Sequence, residues 1–381
     1  MKSSIFCLSL YFLAASGMLL LLTIFIPSVE SMPNSKFGPF DWFHFTSMLF
    51  AIGVLLTKPT TRFKFLLPDI ILLLLFGIVL YQYQTNSLFS SEQFLFVSQL
   101  IVLWFMLRAT LQSQKEFRIF FIVCLLYTSL YPTLGKICHI DDAIPDNPTQ
   151  KLVNGSLQPT LLLEYIAIVL PLCLDSLLHS LNCTKLSFKD PRTPFFYLSS
   201  LAVLNTIITL FSEINYFICF TALVSAFGVY NLRVISQRKT SDKIKHYYKA
   251  FFFSLIFLFS LFILYPSINL HNDQNEYALI NTHLGTPGLL LFSAWLITSI
   301  YYGIKHRQIG VAVSLLTFSI LLTHSPLLQE PAYGILLLFL STICITNPRK
   351  EESRLNSIPY IGILSAILSC FLFYGQFQFS F

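Results

Sequence analysis

Continuous apolar stretches separated by short polar connections run the length of this chain. They fall at 5–26, 40–57, 66–83, 93–111, 117–135, 159–181, 194–211, 214–231, 250–267, 285–304, 309–325, 330–346 and 358–376. Each is close to the ~20 residues a helix needs to cross hydrocarbon. The pattern predicts an all-α polytopic membrane bundle of about 13 transmembrane helices. The stretch 194–231 reads either as one over-long helix or as two spans joined by Ser212-Glu213-Ile214-Asn215.

Charge sharpens this picture. With Met1 placed in the cytoplasm, alternate connections collect all of the 24 Lys and Arg residues except Lys36, Lys136 and Lys151. Retention of basic loops on the cytoplasmic face produces such an alternation, and a soluble fold has no reason to. It requires two spans in 194–231, so that Arg233 to Lys249 stay inside. The expected topology is N-terminus cytoplasmic and C-terminus periplasmic. The outer connections are acidic or neutral, with Asp141, Asp142 and Asp146 in one and Asp273 and Glu276 in another.

Composition agrees, at 55% hydrophobic, 11% charged and a mean hydropathy of +0.69, against roughly 25% charged for a soluble domain. The whole of 1–381 reads as a single transmembrane domain with no soluble domain. The net charge of +6 sits in small clusters beside spans, so no nucleic-acid partner is expected; the bilayer itself is the evident partner. The eight cysteines are scattered singly, without a CxxC or paired outer thiols, so neither a disulfide framework nor a metal site is expected. The apolar core of 5–26 exceeds that of a signal peptide and reads as an uncleaved first span.

Ionisable residues inside apolar runs are costly, so they point to chemistry. Glu164 and Asp175 are eleven positions apart in 159–181, near three helical turns, on roughly one face and about 16 Å apart along the axis. Asp175 is expected near the inner surface, paired with a neighbouring base. Glu164 is expected near the outer surface, either solvated or functional. The connection 267–287 reads as an outer loop holding His271, Asp273, Glu276 and His283, which either caps two helices or supplies a general base. Gly285, Pro287 and Gly288 mark the turn into the next span. Pro159 suits a helix start, and Pro171 is expected to kink the helix it lies in unless neighbours satisfy the freed carbonyl.

Three segments resemble, in order, the O-antigen ligase and polymerase family of bacterial membrane glycosyltransferases, in the versions found in Bacteroidetes-like bacteria. They are Gly155-Ser156-Leu157-Gln158-Pro159 with Glu164-Tyr165-Ile166-Ala167 and Leu170-Pro171-Leu172; Asn275-Glu276-Tyr277 with Leu284-Gly285 and Gly288-Leu289-Leu290; and Ser325-Pro326-Leu327 with Pro331. The resemblance covers about 150–345. It implies transfer or polymerisation of an undecaprenyl-pyrophosphate-linked glycan at the outer face of the inner membrane, with no cofactor beyond that donor. Lipopolysaccharide biosynthesis in the cell envelope is the implied setting. Such chemistry needs a base for the acceptor hydroxyl and cations for the departing pyrophosphate.

An active transferase here would use a relocated base, with His271, Glu276 or Glu164 as the candidate catalytic groups. Lys136, Lys151, Gln158, Gln274, Asn275, Tyr277 and His283 become candidate substrate contacts. The chain departs from the family where Glu213 stands for an Arg and Gln274 for a His. A carboxylate repels the pyrophosphate that an Arg would hold. The departures keep open a second reading, a catalytically inactive member serving as a structural or lipid-glycan-binding subunit with protein partners in an envelope complex. A third, a transporter or flippase, requires a continuous polar path to the cytoplasmic side.

Overall fold

The computed structural model describes residues 65–85, 91–111, 122–123, 125–126, 158–181, 192–212, 216–237, 276–325, 327–329 and 331–346. Among the described residues there are eight α-helices and no strand. They are α1 (Leu67–Thr85), α2 (Ser91–Leu111), α3 (Gln158–Leu181), α4 (Arg192–Ser212), α5 (Tyr216–Gln237), α6 (Glu276–Lys305), α7 (Ile309–Leu321) and α8 (Pro331–Ile345), with one 3₁₀ turn at Leu327–Gln329. Eight of the expected spans are thus helices, seven of them close to their expected bounds and one, α6, starting nine residues earlier than 285. The stretches 5–26, 40–57, 250–267 and 358–376 lie outside the described residues, as does 117–135 apart from its four described positions. By length and composition, α1 and α6 are long and apolar enough to cross a membrane.

Helix α7 forms the centre. All of its residues except Ile320 are buried, and it packs against α3, α5, α6 and α8. A helix that is apolar all round has no face for water, so it is surrounded by its neighbours. On one side α3 packs against α4 and α5; on the other, α6 packs against α1 and α8. The outer helices carry their large apolar residues outwards: Leu201 and Leu204 on α4 are 55% and 56% exposed, and Phe220 and Phe227 on α5 are 67% and 68% exposed.

Polar groups lie inside instead. The Thr317 and Ser225 hydroxyls are hydrogen-bonded at 2.7 Å between α7 and α5. Asp69 near the start of α1 is fully buried and forms an ion pair with Arg108 near the end of α2. It also accepts hydrogen bonds from Trp104 Nε1 at 3.1 Å and from the Leu66 amide at 2.7 Å. Trp104 in turn meets Trp295 of α6 edge-on, at 5.3 Å between ring centroids. Neither Asp69 nor Arg108 was among the candidates, and Arg108, one of the basic residues expected in the connections, is instead buried. The Asp69 carboxylate lies three residues into the helix and finds its counter-charge 39 positions later, a pairing that spacing alone does not reveal.

The connection 267–287 is corrected as well, because its second half is helical from Glu276 onwards. Tyr277, Ile280 and Leu284 recur at helical spacing and pack on the core, and the acidic Glu276 suits the positive end of a helix. The turn expected at Gly285 is present as a break within α6, with φ 73° and ψ 174°. That conformation is open essentially to glycine alone.

Candidate functional site

The second and larger polar assembly is built where α7 ends. Leu322 closes the helix, and the chain turns through Thr323, His324 and Ser325 before the 3₁₀ turn. Pro326 accounts for the break, because the residue before a proline is pushed out of the helical region and proline has no amide to donate. This short segment is held by groups from three helices.

From α3, Glu164 accepts a hydrogen bond from the Ser325 hydroxyl on Oε1. From α6, Glu276 uses both its backbone and its side chain. Its amide donates to the Leu322 carbonyl at 3.2 Å, and its Oε2 accepts from the Leu328 amide at 3.0 Å. One residue thus fixes the two ends of the turn that presents Ser325. From α5, the Phe217 ring lies 4.7 Å from the His324 ring. Tyr277, next to Glu276, is 1% exposed and donates its hydroxyl to the Ser319 carbonyl at 2.9 Å, tying α6 to α7.

Burial distinguishes the two carboxylates from Ser325. Glu164 is 1% and Glu276 6% exposed, while Ser325 is partly exposed. Glu164 Oε2 is buried with no hydrogen-bond partner among the described residues. A carboxylate in an apolar surrounding with one oxygen uncommitted retains capacity to accept a proton.

The structure therefore brings Glu164, Glu276 and Tyr277 together around 319–328. Gln158 is the first residue of α3, and His283 lies two turns after Glu276 on α6, partly buried. Lys136, Lys151, His271, Gln274 and Asn275 lie outside the described residues, as does Glu213. Ser325 carries the contact to Glu164 but was not among the expected site residues. Its only sequence signal was the Ser325-Pro326-Leu327 segment, since its partner lies 161 positions away.

The other end of α3 holds the expected charge pair. Asp175 meets Arg233 Nε of α5 at 2.8 Å and accepts from the Gly310 amide at the start of α7 at 3.0 Å. Glu164 is near the end of α7 and Asp175 near its beginning, so α3 and α7 run antiparallel. The backbones approach so closely here that a Cβ on Gly310 would lie 2.5 Å from that of Asp175. Cys173 and Cys344 pack as small apolar residues in the core. Among the described residues no group of three His, Cys, Asp or Glu side chains comes together to hold a metal ion. Comparison of the chain with protein-family models, curated proteins and solved structures gives no match.

Proposed function

We propose that this chain is a polytopic protein of the bacterial inner membrane that transfers or polymerises a polyprenyl-pyrophosphate-linked glycan at the outer face, as O-antigen ligase and polymerase-like enzymes do. The membrane part of this reading draws on the inverted arrangement of side chains. Large apolar residues face out from α4 and α5, while a charge pair and a hydroxyl pair lie inside. In water such faces would favour association; against lipid tails they are at rest.

The observation that carries the catalytic reading is convergence. The three segments that resemble the family are more than 100 positions apart at their extremes, yet Glu164, Glu276 and Ser325 meet in one hydrogen-bonded assembly. In this reading Glu164 is the general base, Glu276 holds the turn that faces it, and Lys136 and Lys151 serve the pyrophosphate. Loss of the chain from its host should remove a surface glycan. Wild type should restore it, and Glu164→Gln, present in the membrane at the same level, should not. Full restoration by that variant would sink the assignment.

One observation favours the inactive-subunit reading. The chain has Glu213 where the family carries an Arg, so that position offers no cation to a phosphate. In that case the chain should co-purify with stoichiometric envelope partners, and Glu164→Gln should leave both the partners and the glycan intact. A lone monodisperse chain counts against it.

A further inference from the structure

We propose that Ser325 is the residue that meets the acceptor hydroxyl and relays its proton to Glu164, an assignment that rests on the transferase reading above. The geometry of burial leads to it. Glu164 is 1% exposed, so an acceptor cannot touch its carboxylate as the site stands. Ser325 is a partly exposed residue whose hydroxyl already donates to Glu164 Oε1, so it is the more accessible member of the pair. A hydroxyl can accept one proton while donating another, which a carboxylate or an amide in the same place cannot do as readily.

The surrounding contacts hold this hydroxyl in place. Glu276 anchors Leu322 through its amide and Leu328 through its carboxylate, three positions to either side of Ser325. A relay loses efficiency if its middle member wanders, so Glu276 becomes a positioning residue in this scheme. The step then balances as follows. The acceptor oxygen bonds to the anomeric carbon of the donor sugar, and the bond from that carbon to the pyrophosphate oxygen breaks with its electron pair going to pyrophosphate. The acceptor proton passes to Ser325 Oγ as the Ser325 proton passes to Glu164 Oε1. The protonated Glu164 afterwards returns its proton through Ser325 to water.

The test uses the full chain purified into proteoliposomes, with polyprenyl-pyrophosphate-linked oligosaccharide and acceptor glycolipid extracted from membranes of its own host. Release of polyprenyl pyrophosphate is followed. Ser325→Ala should lower kcat about 100-fold with KM unchanged, and Ser325→Thr, which keeps a hydroxyl, should stay within a few fold of wild type. Donor binding and monodispersity should be the same for all three proteins. A Ser325→Ala variant at the wild-type rate overturns the relay, as does a Thr variant no better than Ala, or a loss confined to KM. A wild-type chain that binds the donor but never turns it over overturns the transferase reading itself, and the relay with it.

Discussion

The two carboxylates of α3 are disposed of in opposite ways. Asp175, at one end, faces a guanidinium at 2.8 Å and accepts from a backbone amide at 3.0 Å, so its charge is matched. Glu164, at the other end, faces a hydroxyl and keeps one oxygen uncommitted among the described residues. The same helix, the same antiparallel partner α7 and the same kind of side chain thus make a charge-matched fastening at one end and, at the other, a carboxylate with no counter-charge among the described residues. A matched ion pair holds helices together but has little left to offer a substrate. A buried carboxylate without a counter-charge is costly to keep, which is why it points to function.

The comparison can be broken most forcefully at Glu164. Glu164→Gln keeps the shape of the side chain but removes the base, so transfer should fall roughly 100- to 10,000-fold in the proteoliposome assay. Near-normal transfer would make the two ends equivalent in kind. At the other end the effect should be on stability. Asp175→Ala leaves Arg233 partly buried without its partner, a loss of about 3–5 kcal/mol read as a lowered unfolding midpoint in detergent. Glu164→Gln measured in the same way should move the midpoint far less.

Smaller perturbations sharpen the contrast. Gly310→Ala should lower stability by about 1–3 kcal/mol, because its Cβ would collide with Asp175 and force α3 and α7 apart at the fastened end. Transfer per folded molecule should be unaffected. Ser225→Ala removes the hydroxyl contact with Thr317 between α5 and α7, away from either carboxylate. It should cost only about 0.6 kcal/mol, since Thr317 retains its bond to the Val313 carbonyl.

Much of the helical framework was legible from apolar run length. Continuous runs with polar gaps located α1 to α5, α7 and α8 within a few residues, because a helix that buries or faces lipid on every side leaves that mark directly. The division of 194–231 into two helices was also readable, since the expected alternation of charge requires it. The first turns of α6 were not readable as helix, because Asn281, Thr282 and His283 break the apolar run while Tyr277, Ile280 and Leu284 still share a face. Length alone also extended α7 to residue 325, where Pro326 stops it earlier.

The site was legible only in pieces. Glu164 stood out as a carboxylate in an apolar run, and Glu276 as one acidic residue in a polar stretch. That both would fasten the same turn depends on the packing of α3, α6 and α7, which no local pattern encodes. Asp69 was passed over for the same reason. Three residues into a helix it looks like an ordinary capping acid, and only the fold shows that Arg108 and Trp104 enclose it.

The most direct measurement is a density map of the full chain purified gently with polyprenyl-pyrophosphate-linked oligosaccharide from its own host. The account expects the sugar next to the pyrophosphate to lie beside Ser325, with Glu164 behind it, and the Asp175–Arg233 end to be free of ligand. A head group bound elsewhere, with the turn at 322–328 covered by a partner chain, would contradict it.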